Sequence, residues 1–174
     1  ALAVLSQDLL LAADPVPFSK PPKEIYNSEP SKLPFTLPED AVKGMTLPPG
    51  FRVDLFAAEP DVQQPIGIAF DTRGRLWVAE NYTYAESSIN MDRDLSDRIV
   101  ILEDTDKDGK SDKRKVFWDQ GKCITSVETG FGGVWVLDLP NLLFIPDRNR
   151  DDVPDGPPEV VLDGFDRDAV RHNF

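Results

Sequence analysis

The chain has 174 residues, 40% of them hydrophobic and 29% charged, which is enough for one domain with a real core and too few for two large ones. Its 19 Lys and Arg against 31 Asp and Glu leave a net charge of −12, a field that repels phosphate backbones and anionic lipid, so no nucleic acid is expected as a partner. No run approaches the roughly 18 to 20 apolar residues of a membrane-spanning helix, and a single cysteine, Cys123, with a single histidine, His172, excludes an internal disulfide and a zinc cluster.

The opening, ALAVLSQDLLLAAD, is a short Leu/Ala-rich stretch interrupted by Gln7 and Asp8. It reads either as the remainder of a secretion signal or as a short amphipathic helix. Nine of the 16 prolines then fall between Pro15 and Pro49. Such a segment has few backbone donors for a sheet and resists helix, so residues 1–49 are expected to be a signal remnant or an extended Pro-rich strap. Within the strap, PEDAVKGM (residues 38–45) is the one short helical candidate: Pro38 suits a first turn, Glu39 and Asp40 favour the amino end, and Gly44 can terminate it.

From residue 50 to 174 the pattern changes to short alternating strands separated by Gly, Asp and Pro turns, the mark of an antiparallel all-β unit. FRVDLFA alternates Phe51, Val53 and Leu55 with Arg52 and Asp54 and reads as a strand. IGIAFD, a turn at Thr72, Arg73 and Gly74, and RLWVAEN read as a hairpin. After an insertion come RIVILED, an acidic turn and KRKVFWD.

The unit then repeats. GRLWVAE (74–80) aligns with GGVWVLD (132–138), placing Trp77 on Trp135 and Glu80 on Asp138. RIVILEDTDKDGKSD aligns with NLLFIPDRNRDDVPD, whose first loop aspartates, Asp104 and Asp147, are 43 residues apart. That period and the acidic hairpin in each unit predict an incomplete β-propeller of about two four-stranded blades, with blade faces left for missing partners to cover. A small β-sandwich is the alternative that the repeat disfavours. The start at Ala1 and the stop in DRDAVRHNF, without a closing turn, read as the ends of a piece of something longer.

The sharpest local motif is DTDKDGKSD (104–112). Alternate carboxylates on a loop turned sharply at Gly109 converge as calcium, a hard cation with six to eight oxygen ligands, requires. Asp104, Asp106 and Asp108, a backbone oxygen near Lys110, and Asp112 form the expected set. Lys115 at the twelfth position and flanking strands rule out an EF-hand. The second copy, DRNRDDVPD, offers Asp147, Asn149, Asp151 and Asp155, but has Asp152 where the first has glycine, which predicts a more strained turn and weaker affinity. The plainer reading of both is a solvated acidic hairpin.

Glu80 and Asp138 occupy equivalent places after the Trp-bearing strands. They are expected either to ring a shared opening or to accept hydrogen bonds from nearby turn amides. The insertion NYTYAESSINMDRD (81–94) is long for a hairpin connection, a length that often carries function. His172 is the one side chain with an ordinary pKa near neutrality and hence the default general base of any catalytic site. Trp77 and Trp135 read as blade-core residues.

The segments LPPGFRVDLFAAEPDVQQPIGIAFDTRGRLWVAENYTYAE, DRIVILEDTDKDGKSDKRKVF and GGVWVLDLPNLLFIPD together resemble the amino-terminal propeller of the large bacterial PVC-type haem-binding CxxCH proteins, over about residues 47–174. That propeller is in turn similar to soluble quinoprotein glucose and sorbosone dehydrogenases. The resemblance implies a six-bladed, calcium-stabilised propeller, exported to the periplasm or cell surface, that oxidises a sugar-type alcohol beside pyrroloquinoline quinone. It implies His172 as the base, with Asn173 beside it in the RHNF motif; the places of Glu80 and Asp138 in the repeat add the expectation of a substrate or cofactor rim formed by Glu80, Asn81, Asp138 and Asn173. Electrons would pass to a cytochrome c domain of the full-length protein. The chain has no C-x-x-C-H, so haem c belongs to that full length and not to this chain, which by itself should be inactive. The competing expectation is a non-catalytic, calcium-stabilised propeller module that binds glycans or proteins.

Overall fold

The computed structural model describes residues 36–84 and 91–165. The expected secretion signal, most of the Pro-rich strap, part of the insertion, and both His172 and Asn173 lie outside the described residues. The predicted short helix is present as α1 (Pro38–Lys43), with proline in its first turn, Glu39 and Asp40 at the amino end and Gly44 as its carboxyl cap.

Eight strands follow: β1 (Pro65–Phe70), β2 (Leu76–Glu80), β3 (Asp97–Glu103), β4 (Lys113–Gly121), β5 (Ile124–Gly130), β6 (Gly133–Asp138), β7 (Asn141–Pro146) and β8 (Glu159–Leu162). They form two antiparallel four-stranded sheets, β1-β2-β3-β4 and β5-β6-β7-β8, each built from strands consecutive in the chain. This is the arrangement of two neighbouring propeller blades. The sequence repeat carries through to the backbone in detail. β1 meets β2 with Pro65 opposite Glu80 and an irregularity before Gly67; β5 meets β6 with Ile124 opposite Asp138 and the same irregularity before Ser126.

The two faces of each sheet are chemically different because side chains alternate along a strand. The face of sheet 1 that carries Trp77, Ala79, Ile99 and Ile101 packs on the face of sheet 2 that carries Val134, Val136, Leu143 and Ile145, and together they form the larger core. At the level of the first strands the sheets come very close: a β-carbon added to Gly67 would lie 3.1 Å from the Cα of Ser126. Ile99, Ile124, Val136 and Ile145 are fully buried there, and each such side chain is worth roughly 1.5–3 kcal/mol of transfer free energy. Trp77 stacks edge-on against Phe117, centroids 5.0 Å apart.

One expected strand is absent. Among the described residues FRVDLFA pairs in no ladder; residues 51–58 belong to neither helix nor strand. The segment instead lies over the opposite face of sheet 1, where Phe56, Ala57 and Val62 cover Leu76, Val78, Val100 and Leu102. The Ser111 amide, from the hairpin between β3 and β4, donates to the Phe56 carbonyl at 3.0 Å. The alternation seen in the sequence is real, with Val53 and Leu55 half-buried and Arg52 and Asp54 exposed, but the segment is in neither of the two sheets.

Candidate functional site

The two acidic hairpins connect the third and fourth strands of each sheet and share one backbone. In the first, Asp104 accepts the amides of Lys107 (2.7 Å) and Gly109 (2.9 Å), Asp106 that of Asp108, and Asp108 that of Lys110. Asp112 closes the loop on the Thr105 amide and hydroxyl (3.1 and 2.6 Å), and the Thr105 hydroxyl holds its carboxyl below the usual range. In the second, Asp147 accepts the amides of Asp151 and Asp152, Asn149 that of Asp151, Asp151 that of Val153, and Asp155 that of Arg148. Left-handed residues fall at matching places, Lys107 with Arg150 and Gly109 with Asp152 (φ 92° and 66°).

Asp104, Asp106 and Asp108 each bring a carboxylate oxygen within 4.8 Å of the others, a group that could hold a metal ion. An oxygen that accepts one amide keeps a lone pair for a cation. In the second hairpin the Asn149 side-chain amide donates to Asp151 (3.0 Å).

Asp152 has a different task. Its carboxylate forms a bidentate pair with Arg75 (2.7 and 2.7 Å) and a further bond to Arg73 (2.6 Å), both from the β1–β2 turn of sheet 1. Arg75 is nearly buried, its side chain 5% exposed, and also binds Asp71 (2.9 Å), which accepts the Trp77 indole N–H (3.1 Å). Lys115 of β4 reaches the Asp151 carbonyl at 3.0 Å. Arg75 holds the Asp152 carboxyl below its ordinary range; burial raises that of Asp71, but Trp77 and Arg75 outweigh it and the net shift is downward. Hydrogen-bonded, partly desolvated pairs of this geometry are the strong ones. The second acidic hairpin is thus an ionic clasp between the sheets. Sequence reading took Asp152 only as a departure from glycine. The signal was a paired one: the unit with an acid in the glycine position follows a unit with Arg73 and Arg75, whereas Phe131 and Gly133 stand at those places in the second turn.

Glu80 is fully buried. It accepts the Gln63 amide (2.9 Å), the Tyr82 hydroxyl (2.9 Å) and Arg114 (3.2 Å), with Arg98 at 3.6 Å. Burial raises its carboxyl, opposed by Arg114, and burial beside Glu80 raises the Tyr82 phenol. Asp138 does the same work in the second unit by accepting the amides of Lys122 and Cys123. In both units the residue that follows donates its amide back, Asn81 to Gln64 and Leu139 to Cys123. The repeated carboxylate is a latch on the segment that leads into the first strand, because amides there have no ladder partner and must be satisfied locally.

Asn81 is likewise buried and joins the sheets, its side chain donating to the Ile124 carbonyl at 2.7 Å. Beside it lies a residue sequence reading missed. Asp97 is fully buried and accepts the Thr83 amide (2.7 Å), the Thr83 hydroxyl (3.0 Å) and the Ile124 amide (2.8 Å), and so ties the insertion to β5. Burial raises its carboxyl. An acid at the head of the apolar run RIVIL was the available signal. The structure therefore brings Asn81 and Asp97 into the junction between the sheets, both bonded to Ile124, and sets Glu80 on the opposite face of sheet 1 beside Arg98 and Arg114. His172 and Asn173 lie outside the described residues.

Two consecutive blade-like sheets, clasped by an acidic hairpin, define the class of this molecule. The chain belongs to the family described as domain of unknown function (DUF7133), which matches residues 37–174. No curated protein matches it. Among solved structures it is similar to the PQQ-bound form of an aldose sugar dehydrogenase from Streptomyces coelicolor, with 19% identity and a TM-score of 0.35 over 67% of this chain. The match spans 36% of that dehydrogenase chain. Among the described residues no helix is long and apolar enough to cross a membrane.

Proposed function

We propose that the chain supplies the opening blades of a larger, exported β-propeller whose complete ring oxidises a sugar-type alcohol and delivers the electrons to a cytochrome c domain. The observation that carries the propeller part is the repeat itself: two consecutive four-stranded sheets share strand order, bulge position, latch and hairpin geometry, and pack unlike face to unlike face. Support for the oxidation part comes from the sequence resemblance to quinoprotein sugar dehydrogenases. When bound, pyrroloquinoline quinone supplies an acceptor for the electron pair of the alcohol. The described residues do not themselves form a cradle for it, since the carboxylates expected on the rim are engaged within the fold. His172 remains the proposed base. The test is a dye-reduction assay of the full-length protein loaded with the quinone, against a panel of sugars. Sugar-dependent turnover that falls by about two orders of magnitude in His172→Ala, the usual scale of a lost general base, is the expected result. Quinone binding without turnover on any sugar would sink the enzymatic reading.

A second reading, a non-catalytic propeller stiffened by calcium, is favoured by one observation: the convergence of Asp104, Asp106 and Asp108. Calorimetry on chelator-treated chain is expected to show saturable calcium binding that raises Tm and disappears when Asp106 and Asp108 are both replaced by Ala. Binding at ten times Kd adds about 1.4 kcal/mol of stability. An absence of heat and of any Tm change at millimolar calcium would reduce the loop to a solvated turn.

A further inference from the structure

Glu80 faces two arginines and satisfies one of them. Its Oε1 accepts the Gln63 amide at 2.9 Å, and its Oε2 accepts the Tyr82 hydroxyl at 2.9 Å and Arg114 Nη2 at 3.2 Å. Arg114 also donates from Nε to the Asp61 carbonyl at 2.7 Å. Arg98 Nε stands 3.6 Å from the same Oε2, outside hydrogen-bond reach, with its guanidinium over the Tyr82 ring, 4.3 Å from the centroid. The Arg98 side chain is only 12% exposed, and no described residue accepts a hydrogen bond from it, although a guanidinium carries a planar fork of N–H donors. A cation so far removed from water is costly until those donors are met. The second unit shows that the latch itself does not require this arginine. Asp138 holds its segment by accepting the amides of Lys122 and Cys123. Its sheet partner is Asn141 where that of Glu80 is Arg98, and Pro140 stands where the first unit has Tyr82. Tyr82 and Arg98 are thus features of the first unit alone.

We propose that Arg98, its guanidinium seated on Tyr82, is a binding site for the carboxylate of a small organic acid. The class of ligand follows from shape and charge. A guanidinium fork offers parallel N–H donors to two coplanar oxygens, the geometry of a carboxylate. The guanidiniums of Arg98 and Arg114 against the single carboxylate of Glu80 leave one positive charge in excess, in a chain whose net charge is −12. A carboxylate neutralises that excess, whereas a phosphate group near pH 7 would exceed it. The site is assembled from the ends of β2 and β3, from β4, and from the segment that leads into β1, so it lies wholly within sheet 1 and its approach. It therefore stands apart from the ring reading proposed above and does not depend on it.

The test is a titration of the 15N-labelled chain with sodium acetate, inorganic phosphate and sodium chloride at matched ionic strength, followed at the assigned Arg98 Nε–H resonance. Acetate is expected to move that resonance saturably with a Kd at or below about 10 mM, and phosphate and chloride to bind at least ~10-fold more weakly. Acetate should also raise Tm of the parent chain. In Arg98→Lys, which keeps the charge and loses the fork, the affinity measured by calorimetry should fall at least ~10-fold. The parent titration decides the matter even if that variant does not fold: a linear response to acetate no larger than that to chloride would overturn the proposal. Phosphate binding as tightly as acetate would overturn the assignment to a carboxylate. Undiminished acetate binding by a folded Arg98→Lys would show that the fork is not the site. An Arg98 resonance already in its hydrogen-bonded position and unmoved by acetate would place an acidic side chain in the fork and overturn the small-molecule ligand.

Discussion

The two acidic hairpins have the same backbone and different occupations. Each is turned by an aspartate that accepts two amides, each has left-handed residues three and five positions on, and each is closed by an acid accepting the amide of the second loop residue. The first spends its remaining carboxylates on a convergence at the surface. The second places Asp152 where the first has Gly109 and uses it to hold the neighbouring sheet. A turn geometry can therefore be conserved inside one molecule while the side chain at its most constrained position decides between a loop open to solvent and an inter-sheet joint.

The largest expected effect comes from breaking that joint. Asp152→Ala leaves the nearly buried Arg75 with Asp71 as its remaining ion-pair partner among the described residues. Since loss of one partner of a buried pair costs roughly 3–5 kcal/mol, and Asp71 retains part of the interaction, a loss of about 3 kcal/mol in urea unfolding is expected. Asp152→Gly removes the same pair but relieves the left-handed backbone, and so should be about 1 kcal/mol less harmful than the alanine variant. Equal losses for the two variants would mean that Asp152 sits in its φ without strain. A loss below about 0.5 kcal/mol in both would place the clasp among surface pairs of little worth.

A second difference can be read with pH. The folded-state pKa of Asp152 and of Asp71 is lowered, so the stability they contribute is full above the ordinary carboxylate range and is lost as pH falls through their folded values. Glu80 and Asp97 are shifted the other way by burial. Their folded forms take up protons at higher pH than the unfolded chain does, so they contribute a destabilisation that is present above their folded pKa and relieved as pH falls below the ordinary value. Tm measured from pH 7 downward should therefore fall less steeply in acid for Asp152→Ala than for the parent chain. It should fall more steeply for Glu80→Gln, which removes an opposing term. Parallel curves for all three would show that these carboxylates have the same proton affinity in both states.

How much of this was legible beforehand depends on which interactions are local. Strand order, the hairpin turn at Gly74, α1 and the 43-residue correspondence of Asp104 with Asp147 follow from period-2 patterning and turn chemistry, which are written along the chain. FRVDLFA was read as a strand because its alternation is that of one, yet a strand needs an edge, and the edge is not part of its own sequence. Glu80 and Asp138 were recognised as equivalent, but a repeated carboxylate can point outward or inward; only the amides of Gln63 and Lys122, brought round by sheet pairing, show that both are latches. Asp97 and the Arg75–Asp152 pair were invisible for the same reason, since partners 27 and 77 residues away meet only when the two sheets stack.

The smallest effect sharpens the comparison most directly. Gly109 has φ 92° and nothing within 4 Å of where a β-carbon would stand. Replacing it therefore tests backbone preference alone, free of collision. Gly109→Ala should cost about 1 kcal/mol, the penalty for a β-carbon in left-handed backbone. Gly109→Asp, which writes the second hairpin into the first, should cost less than the alanine variant, because Asp tolerates that conformation through local hydrogen bonding. It should gain nothing in return, since among the described residues no buried arginine bonds to this loop as Arg75 bonds to Asp152. If Gly109→Asp proved more stable than the parent, side chains at this position would act through the loop itself, and the clasp at Asp152 would owe less to Arg75 than the geometry indicates.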